Sequence, residues 1–178
     1  IGGDTLLLIA TVDAVYSYNS NGFAKKIAKC SPWHMEQDFA DSTRIIVCNY
    51  DGLSSIKWNG NRFIDEGFVK GFKKNIYCCK YDSLGSLFIG AIGEGLYKTE
   101  GSIFYDSTTA IENISKEIDV IEDGHAYVSV INNNIYVGTN HGIYKRTNSG
   151  FEKTNEFGSE KHLNYGIHRI KQTPDGKV

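Results

Sequence analysis

The sequence predicts an all-β fold: a partial β-propeller of four-stranded antiparallel blades, about three of them complete, with partial blades at both ends. Three observations predict it. A motif recurs: Leu87-Phe88-Ile89-Gly90-Ala91-Ile92-Gly93-Glu94-Gly95-Leu96-Tyr97-Lys98 returns as Ile135-Tyr136-Val137-Gly138-Thr139-Asn140-His141-Gly142-Ile143-Tyr144-Lys145, with weaker copies at Leu8–Tyr16 and Ile46–Ser54. The equivalent small residues Ala10, Cys48, Gly90 and Gly138 are separated by 38, 42 and 48 residues, close to the roughly 40–50 residues of a propeller blade. Each unit also holds short runs rich in Ile, Val, Tyr and Phe, broken by Gly, Asn, Asp and Ser. That is strand-and-turn chemistry, and helical periodicity is nearly absent.

Taken in order, the first unit places strands near Thr5–Thr11, Ala14–Asn19 and Phe23–Lys29, with Asn19-Ser20-Asn21-Gly22 as a hairpin turn. The second runs Met35–Phe39, Arg44–Cys48, Gly52–Trp58 and Arg62–Asp65, and Asn59-Gly60 accepts the positive φ of a tight hairpin. The third runs Ile76–Tyr81, Ser86–Ala91, Gly95–Thr99 and Ser102–Asp106. A long linker follows, in which Ser115-Lys116-Glu117-Ile118 has the makings of a single helical turn. The fourth runs Ala126–Ile131, Asn134–Thr139, Gly142–Arg146 and Phe151–Lys153, and Tyr165–Gln172 begins a fifth. The whole reads as one domain over 1–178, with blade pieces at about 1–30, 34–66, 75–107, 125–155 and 165–178.

Within each unit two columns of residues have steric reasons. Gly90 and Gly138 suit a strand position that another backbone approaches closely, with Ala10 and Cys48 as small substitutes. Gly52, Gly95 and Gly142 follow a turn, where positive φ or a bulge is wanted. Tyr16, Tyr97 and Tyr144 come next, and burying such a ring between blades contributes roughly 1.5–3 kcal/mol. Ser54 interrupts that column, and Trp58 is the expected filler of its gap.

Ile1-Gly2-Gly3-Asp4 reads as the turn before a second strand, and Pro174-Asp175-Gly176-Lys177-Val178 as the same turn again. The expectation is a piece of a longer array that packs against remaining blades of the same propeller. Alone, it would expose apolar blade faces and self-associate. A net charge of −2 and a pI near 6.2 offer nothing to nucleic acid, and Lys25-Lys26 and Lys73-Lys74 are isolated pairs. No apolar stretch approaches the roughly 20 residues of a membrane span, so no membrane contact is expected from this segment. Cys30, Cys48, Cys78 and Cys79 are too few and irregular for a disulfide scaffold. Cys78 and Cys79, adjacent in a strand, point to opposite faces, which argues against a shared metal and for buried small hydrophobes.

The motifs of nucleophile elbows, P-loops, zinc proteases and dinucleotide sites are missing from the sequence, as is the Asp box of sialidase-like propellers. The five histidines (His34, His125, His141, His162, His168) lack metal-ligand spacing. Neither a catalytic residue, a cofactor nor a metal is expected. What remains is one propeller face, built from interblade linkers and the hairpins between second and third strands. It carries Trp33, His34, Tyr50, Asp51, Glu94, Asn140, His141 and Tyr165, with Trp33, Asp51, Glu94 and His141 leading. Aromatic rings beside amide, carboxylate and imidazole groups suit a sugar.

The Gly-bounded copies, best over Ile76–Tyr97 with its Asp82-Ser83-Leu84-Gly85 turn and again over Ile135–Tyr144, resemble the two-component regulator propeller repeat. That repeat reads as a strand, Asp-x-x-Gly, an aromatic-Ile-Gly-Thr run and a Gly-Leu-Tyr return. Here Phe88, Tyr136 and Ile46 stand where Trp is commonest, and the first two copies lose the first Gly. The resemblance implies the extracytoplasmic sensing part of a bacterial hybrid signalling protein. Such a part is periplasmic or extracellular, non-enzymatic, responsive to an oligosaccharide or other small ligand, and a homodimer in the intact protein. The alternatives are a propeller scaffold for protein–protein or cell-surface interaction, or the non-catalytic portion of a carbohydrate-active enzyme.

Overall fold

The computed structural model describes residues 7–19, 21–100, 110–118, 120, 124–158, 167, 170–173, 175 and 178. Among these, the chain forms four successive antiparallel meanders. The first sheet has β1 (Leu7–Ala10), β2 (Val15–Tyr18) and β3 (Ala24–Ala28). The second has β4 (Pro32–Gln37), β5 (Arg44–Asn49), β6 (Gly52–Trp58) and β7 (Phe63–Phe68). The third has β8 (Ile76–Tyr81), β9 (Leu87–Ala91), β10 (Gly95–Thr99) and β11 (Glu112–Asn113). The fourth has β12 (Tyr127–Ile131), β13 (Asn134–Thr139), β14 (Gly142–Thr147) and β15 (Gly150–Thr154). Each sheet packs face-on against its neighbour, and β4, β8 and β12 lie side by side. This is the partial propeller, with those three as innermost strands.

The core sits between blades. Val15, Ala28 and Cys30 of the first blade meet Val47 and Ile56 of the second. Ile46, Cys48, Leu53 and Phe72 meet Ile76, Cys79, Leu87, Ile89 and Tyr97 across the next interface. Phe88, Leu96 and Cys78 meet Val128, Ile135, Val137 and Tyr144 across the third. Alternation explains this: successive residues of a strand face opposite sides, so a blade with neighbours on both sides buries both. Strand β9 accordingly buries all five of its residues.

Both repeat columns are steric. A Cβ on Gly90 would lie 2.1 Å from the carbonyl oxygen of Ala126 in the next blade, and one on Gly138 would lie 2.7 Å from Ile167 Cγ2. Gly52, Gly95 and Gly142 have φ of 140°, 84° and 128°. Tyr97 and Tyr144 are buried, whereas Tyr16 is half-buried beneath Lys26. Ser54, in their column, accepts a 2.9 Å hydrogen bond from the Asn49 side chain. Trp58 does not occupy that gap; four residues further along β6, about 13 Å away, it packs edge-on against Phe63 with centroids 5.1 Å apart.

Turn chemistry sets the hairpins. Asp82 Oδ1 accepts the amides of Leu84 at 2.9 Å and Ser86 at 2.8 Å. Asn132 and Asn133 take φ of 49° and 61°, the paired left-handed residues of a type I′ turn. Strand β4 begins at Pro32 rather than Met35, with a bulge between Pro32 and His34. The expected strand Ser102–Asp106 lies outside the described residues, and β11 occupies the outer position beside β10. A 3-10 turn forms at Ser115–Ile118, where its hydroxyl residue accepts the Leu96 amide at 3.0 Å. Of the fifth unit, Ile167 and Ile170 pack against the fourth blade.

Candidate functional site

The innermost strands bring aromatic rings together. Trp33 and Tyr77 are the extra residues of equivalent bulges, between Pro32 and His34 in β4 and between Ile76 and Cys78 in β8. A bulge re-aims a side chain, and here it turns both rings towards each other. Their centroids are 5.6 Å apart at 37°. Tyr77 in turn meets Tyr127 of β12 edge-on, at 4.9 Å and 83°. The three rings form a row across three blades, rising from buried Tyr127 through half-buried Tyr77 to Trp33, which is 53% exposed.

This row walls a cavity of about 300 Å³ whose polar lining is His34, Lys80, Ser129, Lys171 and Gln172. Two further clefts, of about 380 and 400 Å³, hold none of the eight residues nominated from the sequence. His34 Nε2 lies 3.2 Å from Glu36 Oε2, and Lys80 Nζ donates to the same oxygen at 2.5 Å, joining β4 to β8. Burial alone would raise the Glu36 carboxyl, but the hydrogen bonds from His34 and Lys80 outweigh it and hold the group below its ordinary value of 4.5. Burial, then the neighbouring Tyr77, raises the Tyr127 phenol, so it remains a neutral hydroxyl at physiological pH.

A pH dependence follows from Glu36. Its carboxylate is favoured in the folded state, so its contribution is present above pH 4.5 and is lost as pH falls through the lowered folded value. The gap in Tm between the native chain and Glu36→Gln should be widest at neutral pH and narrow as the pH falls through that lowered value. A gap that stays constant as the pH falls would remove the Glu36–Lys80 ion pair from the account.

Of the eight nominated residues, Trp33 and His34 line the cavity. Tyr50 and Asp51 are exposed at the β5–β6 turn, and Asn140 and His141 at the β13–β14 turn. Glu94, at the β9–β10 turn, pairs with Lys74. The β5–β6 turn abuts the linker that enters its own blade, where Tyr50 N donates to Ser31 O at 3.1 Å, and the β9–β10 turn abuts the linker into the next blade, where Gly93 N donates to His125 Nδ1 at 3.1 Å. Tyr165 lies outside the described residues. Tyr77, Tyr127, Lys80 and Ser129 escaped the sequence reading. The available signal was positional, because Trp33-His34 and Tyr77-Cys78 hold the same place in their repeats.

Among the described residues, no cluster of three or more His, Cys, Asp or Glu is placed to hold a metal ion. No helix among them is long and apolar enough to cross a membrane.

No family model and no curated protein matches this chain. Its fold is similar to solved extracellular domains from B. thetaiotaomicron. That of BT3049, described as a hybrid two component system, matches 94% of the chain with TM-score 0.63 at 17% identity. That of BT4673, also described as a hybrid two component system, matches 99% with TM-score 0.63 at 16% identity. A further structure of BT4673, described there as a one component system, matches 86% with TM-score 0.59 at 14% identity. The chain spans 22%, 24% and 21% of those solved chains. The likeness is one of fold.

Proposed function

We propose that this chain is a ligand-sensing segment of a bacterial two-component signalling protein, periplasmic or extracellular and non-enzymatic. It forms one partial propeller over 1–178, divided at about 1–30, 34–66, 75–107, 125–155 and 165–178, within a longer array. The ligand is an oligosaccharide, taken at the cleft of Trp33, Tyr77 and Tyr127. The observation that carries this reading is the aromatic row beside imidazole, ammonium, hydroxyl and amide groups. Sugar rings present an apolar face and a polar rim, and a cleft with both kinds of group answers both. A cavity of about 300 Å³ is at the small end of ligand pockets, which run about 300–1,000 Å³, so it suits the end of a saccharide chain.

In the intact protein, ligand binding biases a dimeric signalling state. That bias is no larger than the difference in ligand affinity between the two states. Tyr50, Asp51, Glu94, Asn140 and His141 form the surrounding face and contact longer ligands.

The test is a panel of neutral and uronic-acid oligosaccharides against the chain by calorimetry. For the oligosaccharide that binds, Trp33→Ala and Tyr77→Ala should each weaken affinity about tenfold, or roughly 1.4 kcal/mol, while Tyr77→Phe keeps it. Affinity untouched by both alanine variants would remove the cleft. No binding across the panel would favour the scaffold reading.

A further inference from the structure

Cys48 lies on β5 and Cys79 on β8, in neighbouring blades. Both are fully buried in the apolar cluster that joins those blades. Their sulfurs are 2.9 Å apart, although 31 residues separate them in sequence. Two free thiols at that distance are closer than the roughly 3.5–4.0 Å of non-bonded carbon contacts. They need approach by only about 0.9 Å to reach the covalent length of about 2.05 Å. The other two cysteines are placed elsewhere. Cys78 faces the fourth blade, where its sulfur lies 3.1 Å from the Val128 amide, and Cys30 belongs to the interface of the first and second blades.

We propose that Cys48 and Cys79 form a disulfide that cross-links the second and third blades when the chain folds in an oxidising compartment. The oxidant is a small-molecule disulfide such as oxidised glutathione. One cysteine thiolate attacks it, forming a mixed disulfide and releasing one carrier thiol. The second thiolate then displaces the other carrier thiol and closes the Cys48–Cys79 bond. Two electrons and two protons pass to the carrier, which leaves as two thiols. Burial, then Cys79 beside it, raises the Cys48 thiol well above its usual range, so exchange is slow once the blades have closed. The bond therefore forms during folding and is afterwards shielded from reductant.

The cross-link also bears on the cleft. Cys48 is the register partner of His34, and Cys79 follows Tyr77 by two residues. The bond thus ties the strands that carry the Trp33 and Tyr77 rings. Its existence does not depend on any ligand.

The experiment uses the full chain, reduced and denatured, then refolded with a glutathione redox pair. Remaining thiols are blocked with iodoacetamide, and the protein is digested with trypsin without reduction. The expected product is peptide 45–57 linked to peptide 75–80, with fragmentation between residues 78 and 79 placing the bond at Cys79 and the alkyl groups on Cys30 and Cys78. Tm should rise by roughly 5–15 °C over the reduced chain, because the bond removes loop entropy from the unfolded state. Cys78→Ser should keep the linked peptide and Cys79→Ser should lose it. Alkylation of all four cysteines, or a bond to Cys78 or Cys30, overturns the proposal. The native map decides even where a variant fails to fold.

Discussion

Gly90→Ala is expected to cost about 3 kcal/mol or more of folding stability, near or beyond the upper end of overpacking. The added Cβ would stand 2.1 Å from the Ala126 carbonyl oxygen, 3.0 Å from its carbon and 2.9 Å from Cys78 Sγ. Two of those atoms are backbone at the head of the next blade, so relief requires separating the third and fourth blades. A rotamer change does not suffice. The opposite case is Gly93, where a Cβ meets nothing within 4 Å but φ is +71°. Its alanine variant should cost only the left-handed backbone penalty, about 1–2 kcal/mol. Urea unfolding of both variants separates the two causes. A Gly90→Ala cost smaller than that of Gly93→Ala would mean that no neighbouring blade closes on Gly90.

Phe88→Ala is expected to lose about 3–5 kcal/mol, the range for emptying a buried aromatic site. Phe88 has no solvent exposure and lies in the cluster between the third and fourth blades. Its ring meets Phe151 edge-on at 5.8 Å, with Lys98 Nζ 5.8 Å and the Arg146 guanidinium carbon 5.9 Å from its centroid. The cations add about 0.5–1 kcal/mol each at such sites, so Phe88→Leu should recover most of the loss but not all. Equilibrium unfolding measures the series. A loss below about 1 kcal/mol for the alanine variant would place Phe88 outside a packed interface.

Much of this architecture is legible in the residues, and the legible parts share a cause. Gly52–Trp58, Ile76–Tyr81, Gly95–Thr99 and Asn134–Thr139 are strands at the bounds the sequence predicts. Each is an inner or middle strand with apolar residues on both faces, and two of the four open at a glycine with positive φ, Gly52 and Gly95. Strand β4 starts three residues earlier than expected because Pro32 is tolerated at the first position of a strand. Its bulge at Trp33 then hides the alternation. Strand β11 is two polar residues, Glu112 and Asn113, and no apolar pattern announces it.

The candidate site is less legible for a geometric reason. Trp33 and His34 stand out by residue type, but Tyr77 and Tyr127 read as ordinary strand residues. They become wall residues only because β4, β8 and β12 lie side by side about the centre. The turn residues Asp51, Glu94 and His141 occupy corresponding places in successive blades. A radial array spreads such places apart, whereas equivalent residues of the innermost strands stay close.

The most direct test of the account is a nuclear Overhauser spectrum of the labelled chain. Contact between consecutive blades requires cross-peaks from the Gly90 α-protons to the backbone protons of Ala126 and Tyr127, and between the rings of Tyr77 and Tyr127, whose centroids are 4.9 Å apart. Both sets should be present. Their absence, with the hairpins within each blade intact, would contradict the packing on which the fold, the cleft and the cross-link depend.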